Sequence, residues 1–181
     1  MQKQLTHIML DLETLGTRAD SVIMSIGAVK FDPHSDFISD VGFYSSVSIA
    51  SNLEAHRHVS EDTMRWWIQQ SPEAQKVFEE PKVSLASALD GLHAFFDHPN
   101  YCVWSNGADF DIPMVGHAFS THGLVVPWKF WNNRCFRTMK TLAVAKNIPK
   151  PQVLFAHNAL NDAINQAMQL QAIYKSMKGI V

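Results

Sequence analysis

Three strand-like runs occupy the first fifty residues before any helical period begins. That order restricts the fold more than any other feature. His7 to Leu12 is a short apolar run, Val22 to Phe31 is rich in β-forming residues, and Gly42 to Ile49 reads as a third strand. Asp32-Pro33-His34-Ser35-Asp36 marks a turn between the second and third. Strands that follow one another without a crossover helix pair antiparallel, so this part of the sheet is expected to be antiparallel.

After Ser60 the period changes. Ser60 suits an N-cap, with Glu61 and Asp62 in the first turn and Met64, Trp67 and Ile68 following. Ser71-Pro72-Glu73 opens a short helix with proline at its first position, and Ser84 caps another that carries Leu85, Leu89, Leu92 and Phe96 on one face. Tyr101 to Trp104 is a fourth strand, and Ile112 to His122 is helical with Gly123 at its stop. A helix over Arg137 to Asn147 ends at Pro149 and Pro151. A last one runs from Asn158 to Lys178, followed by Gly179. Val126-Pro127-Trp128 and Lys150-Pro151-Gln152-Val153 read as loops, so residues 1–181 are expected to form one domain. Strands first, then mixed helices and strands, describe an α/β or α+β sheet covered by helices.

With 181 residues, 46% of them hydrophobic, the chain is long enough to bury a core without staples. Cys102 and Cys135 form no CxxC pair and suggest no disulfide framework. No apolar stretch approaches the ~20 residues of a membrane span. The start Met1-Gln2-Lys3-Gln4 has no signal-peptide pattern, so a cytoplasmic protein is expected. The formal net charge of −2 argues against coating nucleic acid by bulk charge. The charge is unevenly placed, however. Residues 1–127 carry 7 basic and 16 acidic side chains, whereas residues 128–181 carry 8 basic ones and a single acid, Asp162. Such asymmetry fits a polyanionic partner or a solvated basic surface.

Three acidic constellations carry the chemistry. Asp11-Leu12-Glu13 ends the first strand, so the two carboxylates share one face with His7 and Met9 while Ile8, Leu10 and Leu12 face the other way. Carboxylates this close repel unless a cation lies between them, and a divalent metal is the usual answer; a solvated strand end is the alternative. Asn106-Gly107-Ala108-Asp109-Phe110-Asp111 lies between the fourth strand and a helix, where either aspartate also serves as a cap. His157-Asn158-Ala159-Leu160-Asn161-Asp162 opens the last helix, and Asp162 leans toward its packed face.

In this order, Asp11, Glu13, Asp111, His157 and Asp162 resemble the DEDDh, or DnaQ-like, 3′→5′ exonucleases. Leu10-Asp11-Leu12-Glu13-Thr14-Leu15-Gly16, with Ser25-Ile26-Gly27-Ala28-Val29 after it, is similar to the first motif of that family. Phe110-Asp111 is similar to the second motif, and His157 to Ala163 to the third. Thr14-Leu15-Gly16, Trp66-Trp67 and Arg137-Thr138 look most like the compact branch that holds the phage DexA and RNase AS-type enzymes. The resemblance implies a ribonuclease H-like α/β fold, a five-stranded mixed sheet in the order 3-2-1-4-5 flanked by helices. The missing fifth strand is then expected around Cys135-Phe136.

The same resemblance implies hydrolysis from the 3′ end to nucleoside 5′-monophosphates with two divalent cations, Mg²⁺ or Mn²⁺. Asp11 would bridge them, Glu13 and Asp162 would hold the one beside the attacking water, and Asp111 would serve the other, with Asp109 in reserve. His157 would be the general base, since imidazole titrates near neutrality. Thr14 and Leu15 are candidates for contact with the terminal nucleotide. Trp66 and Trp67 cannot share a helix face, so one is expected in the core and one against a base. Arg137 and Lys140 are candidates for phosphate contact, and so are His56 and His58 on either side of Arg57. The expected partner is the 3′ end of single-stranded DNA, with RNA as the alternative. Homodimers occur in this branch and extend the expectation to one here. A binding domain without turnover would lack a ligand, and none of the five is missing.

Overall fold

A computed structural model describes residues 5–149 and 157–178. Strands β1 (His7–Thr14), β2 (Ile23–Phe31) and β3 (Ile38–Ser46) come first, followed by helices α1 (Ile49–Glu54), α2 (Glu61–Ile68), α3 (Pro72–Gln75) and α4 (Leu85–Phe95). Then come β4 (Cys102–Ser105), α5 (Asp111–Thr121), β5 (Asn133–Cys135), α6 (Phe136–Lys140) and α7 (Ala159–Lys178). The sheet order is β3-β2-β1-β4-β5. β1 pairs antiparallel with β2, and β2 with β3, whereas β4 and β5 add in parallel on the other side.

Alternation along β1 splits the core in two. Ile8, Leu10 and Leu12 pack with Leu85, Leu89 and Leu92 of α4 and Val115 and Phe119 of α5. Met9 on the opposite face joins Val29, Phe31 and Trp104 against Ala163, Ala167, Leu170 and Ile173 of α7. α7 keeps small residues where it meets the sheet, and this lets it lie close. The approach is tightest at Gly27, the residue paired with Asp11 across β1 and β2. A Cβ at position 27 would lie 2.1 Å from the carbonyl carbon of Ala159 and 2.2 Å from the nitrogen of Leu160, so only glycine fits. The first turn of α7 is thereby seated directly behind Asp11.

Several boundaries differ from the sequence expectation. β3 ends at Ser46, and Ile49 opens α1 instead of closing a strand. The hydroxyl of Ser48 accepts a hydrogen bond from the backbone N–H of Ser51 and caps that helix. The helix expected over Arg137 to Asn147 is two pieces, α6 and a 3₁₀ turn at Ala143–Asn147, because the backbone N–H and the hydroxyl of Thr141 both turn back onto Thr138 O. The fifth strand lies at Asn133–Cys135, with Cys135 opposite Ser105, and Phe136 begins α6. The N-caps at Ser60, Ser71 and Ser84 are as expected. The loop at Lys150–Val153, Pro151, Gly179 and the first four residues lie outside the described residues. Among the described residues no helix is long and apolar enough to cross a membrane.

Gly27→Ala is expected to destabilise the protein by about 1–3 kcal/mol or more, since the new methyl meets backbone and not a yielding side chain. Thermal denaturation measures the loss, and catalytic activity should fall with it.

Candidate active site

β1 ends in the site. Asp11 and Glu13 point to the α7 face, and Asp111 reaches in as the first residue of α5, only 2% exposed. Asp162 comes from the first turn of α7. One carboxylate oxygen each of Glu13 and Asp162 and one ring nitrogen of His157 all lie within 4.8 Å of one another. His157 precedes α7 with φ +63°, a left-handed conformation unusual for a side chain with a Cβ. Its backbone N–H donates to Asp162 Oδ2 at 3.0 Å, which holds that conformation. The rings of Trp66 and Trp67 meet the imidazole edge to face, with centroids 5.0 and 5.9 Å away.

Four carboxylates in one partly dry place perturb each other. Burial pushes Asp11 well above the usual carboxylate range, and the charges of Asp111, Glu13 and Asp162 push it further against one opposing hydrogen bond from Gln166. Burial, then Asp162 and Asp111, push Glu13 up to about 8. Asp111 is pushed up to about 7 by burial, against hydrogen bonds from its own backbone, Leu12 and Ser105 and the charge of Arg137. Burial also raises Asp162, countered by His157. The Oδ2 atom of Asp111 is buried without a hydrogen-bond partner. Excess negative charge, an orphaned carboxylate oxygen and all-oxygen donors beside one imidazole fit a hard divalent cation.

The remaining candidates fall in distinct places. Asp109 is exposed, unlike Asp111. Trp67 is core, 2% exposed, and its indole N–H donates to Thr14 O at 2.9 Å, whereas Trp66 is 42% exposed. A pocket of about 380 Å³ beside Glu13 is lined by Thr14, Gly16, Thr17, Trp66 and Phe110 among others. Leu15 is buried, with its backbone N–H bonded to Val22 O and its carbonyl to Ser60 N–H, so it faces the core instead of that pocket. Arg137 donates to Asn106 O and Lys140 to Asn106 Oδ1, both at 2.8 Å, which gathers two cations beside the second acidic segment. Arg57 is buried and donates to Ser21 O and Ala19 O, so it braces the loop after β1.

Gln166 was not singled out in the sequence. It lies one turn after Asp162 on α7 and donates to Asp11 Oδ1 at 2.7 Å. Its signal was the i, i+4 spacing from Asp162, which places both on one helix face.

A profile of the Rv2179c-like 3′-5′ exoribonuclease domain matches residues 6–174. The chain belongs to this family. Members of the wider DEDDh group share its acidic motifs, and this chain is a 3′→5′ exonuclease with the ribonuclease H-like fold. It is 24% identical over 205 residues to an exodeoxyribonuclease of Enterobacteria phage T4, covering 94% of this chain and 90% of that relative. E. coli exonuclease I in complex with a dT13 oligonucleotide superposes with a TM-score of 0.73 at 15% identity, over 98% of this chain and 42% of that one. Its zinc-bound complex with single-stranded DNA superposes at 0.65 with 17% identity, over 91% of this chain and 39% of that one. The exonuclease described here thus spans less than half the length of exonuclease I.

The raised carboxyls make a testable link between pH and stability. A group that holds its proton more tightly folded than unfolded stabilises the fold at low pH, and that contribution is lost as pH rises through its folded value. In EDTA, the melting temperature should therefore fall as pH climbs from the ordinary carboxylate range through about 7 and about 8. Asp11→Asn should flatten the slope, and so should added Mn²⁺.

Proposed function

We propose that the chain is a divalent-metal-dependent exonuclease that removes nucleoside 5′-monophosphates from the 3′ end of single-stranded DNA. The observation that carries this reading is the convergence of Asp11, Glu13, Asp111 and Asp162 with His157 at the end of β1. Asp11, Glu13, Asp111 and Asp162 would hold two ions, Mg²⁺ or Mn²⁺. Bound there, the ions would supply positive charge that activates the attacking water and offsets charge on the leaving 3′ oxygen.

The protein's own groups do the rest. His157 takes the proton of the attacking water as general base. Asp162 holds the His157 backbone, and Trp66 and Trp67 limit where its ring can swing. Gln166 fixes one oxygen of Asp11. The pocket beside Glu13 accepts the terminal nucleotide, with the exposed face of Trp66 available for stacking on its base. Arg137, tied to Asn106, would offset phosphate charge.

The match to a phage exodeoxyribonuclease along most of both chains, and the exonuclease I complexes with oligodeoxynucleotides, support DNA as substrate. A second reading, an exoribonuclease of the same chemistry, is favoured by the family description. Incubation with labelled single-stranded DNA and RNA of one sequence, with Mn²⁺ or EDTA, separates them. Metal-dependent mononucleotide release should be faster on DNA; faster release from RNA would select the second reading, and release from neither would reject both.

Asp11→Ala and Asp162→Ala are expected to abolish hydrolysis while the fold survives, as checked by circular dichroism. His157→Ala should slow the chemical step by about 10²–10⁴-fold, measured under single-turnover conditions.

A further inference from the structure

Between Asp111 and Asp162 the chain contains no acid, and residues 112–161 carry six lysines and arginines. Arg134 lies on β5, Lys129 just before the turn that leads into that strand, and Arg137 in α6 just after it. β5 is the edge strand, bonded on one side to β4. At its C-terminal end Arg137 reaches Asn106 beside the catalytic centre. In its middle, Arg134 is level with Trp104, which is level with Met9 of β1. Asp11 lies two residues further along β1. Arg134 is therefore displaced from Asp11 by about 7 Å along the strands and about 10 Å across two strand spacings.

A 3₁₀ turn, Phe130–Asn132, leads into β5. It holds two large aromatics outward, Phe130 at 76% and Trp131 at 60% exposure. Their rings meet edge to face with centroids 4.9 Å apart, and Lys129 Nζ lies 5.7 Å from the centre of the Trp131 ring. Arg134 Nη1 donates to Trp131 O at 2.9 Å and to Asn133 O at 3.0 Å. Trp128 anchors the turn from within: it is buried, and its indole N–H donates to Asn133 Oδ1 at 2.9 Å. The outward rings are thus held by a packed neighbour and by side-chain hydrogen bonds.

We infer that this turn is an auxiliary single-strand-binding surface: Phe130 and Trp131 stack on bases 5′-ward of the cleaved 3′ end, while Lys129 and Arg134 meet the phosphates between them. The inference rests on the exonuclease reading of the neighbouring site and extends it to a second place of contact. Exposed aromatics interleaved with cations suit a single strand because every base offers a π face and every linkage a negative charge. A second copy of this chain is the poorer occupant. A two-fold interface sets the same patch of both copies together, which would gather two copies of Lys129 and Arg134 at one seam with no acid from this stretch to offset them.

Fluorescence anisotropy of a labelled deoxythymidylate oligomer of ~16 nucleotides, in EDTA and low salt, tests the surface apart from catalysis. The full chain should bind the long oligomer and not a dinucleotide. The double variant Phe130→Ala/Trp131→Ala should weaken binding at least about tenfold, and Lys129→Ala should reduce the slope of log K against log salt by about 0.7. With Mn²⁺ present, these variants should hydrolyse a dinucleotide at the wild-type kcat/KM. The inference is overturned if the variants bind the long oligomer as the parent does, if the parent shows no length dependence, or if dinucleotide hydrolysis falls as much as long-oligomer binding. It is also overturned if the double variant converts a dimer to a monomer at unchanged oligomer affinity. Length-dependent binding lost in the variants, with no hydrolysis by the parent, would uphold this surface and reject the exonuclease reading; normal hydrolysis with unmoved binding would do the reverse.

Discussion

The backbone of Ala159 rests on Gly27, and the candidate active site is built on that contact. Because β2 offers no side chain there, α7 starts close behind Asp11, the residue paired with Gly27. One helix then delivers three things. Asp162 in its first turn joins the carboxylates, Gln166 one turn later steadies Asp11, and His157 just ahead of it is held by Asp162. Alanine and leucine at the sheet-facing positions carry the same close packing down the rest of the helix.

What this packing brings together is costly. Carboxylates moved from water into a partly buried cluster lose solvation and repel, and Asp11, Glu13, Asp111 and Asp162 all respond by holding protons more tightly than usual. Few arrangements of this kind stabilise a fold, and sites where unfavourable charge is concentrated are where function is sought. Under the proposed reading, a cation converts the repulsion into binding energy. The two large apolar clusters on either side of the sheet supply the stability that tolerates it. The formal charge of −2 belongs to the metal-free chain; four of its 17 acids are the proposed ligands.

Much of this was legible in the sequence, for identifiable reasons. Alternation along His7–Thr14 separated Met9, Asp11 and Glu13 from Ile8, Leu10 and Leu12, and the structure divides its core on the same line. Serine caps at 60, 71 and 84 announced three helices because their signal is local. The sheet order followed from the family resemblance and from no periodicity. β5 was the weakest element, since three residues are too few to show alternation and Arg134 is not apolar. α1 was hidden because Val47 and Ile49 prolong the β-like composition of the preceding strand past its end. At the site, Asp111 was preferred to Asp109 through the family motif alone, and the inward turn of Trp67 depends on how α2 is seated, which one sequence does not reveal. Leu15 and Arg57, adjacent to motif residues or flanked by histidines, are committed to internal hydrogen bonds that only tertiary structure creates.

Four carboxyls that hold their protons more tightly than usual are, in the proposed reading, the ligands of divalent cations. Calorimetric titration of Mn²⁺ at neutral pH, in two buffers of different ionisation enthalpy, tests it most directly because it counts ions and released protons together. Two ions should bind with net proton release, and both should be lost in Asp11→Asn and Asp162→Asn. Binding without proton release, or binding unchanged in those variants, would contradict it.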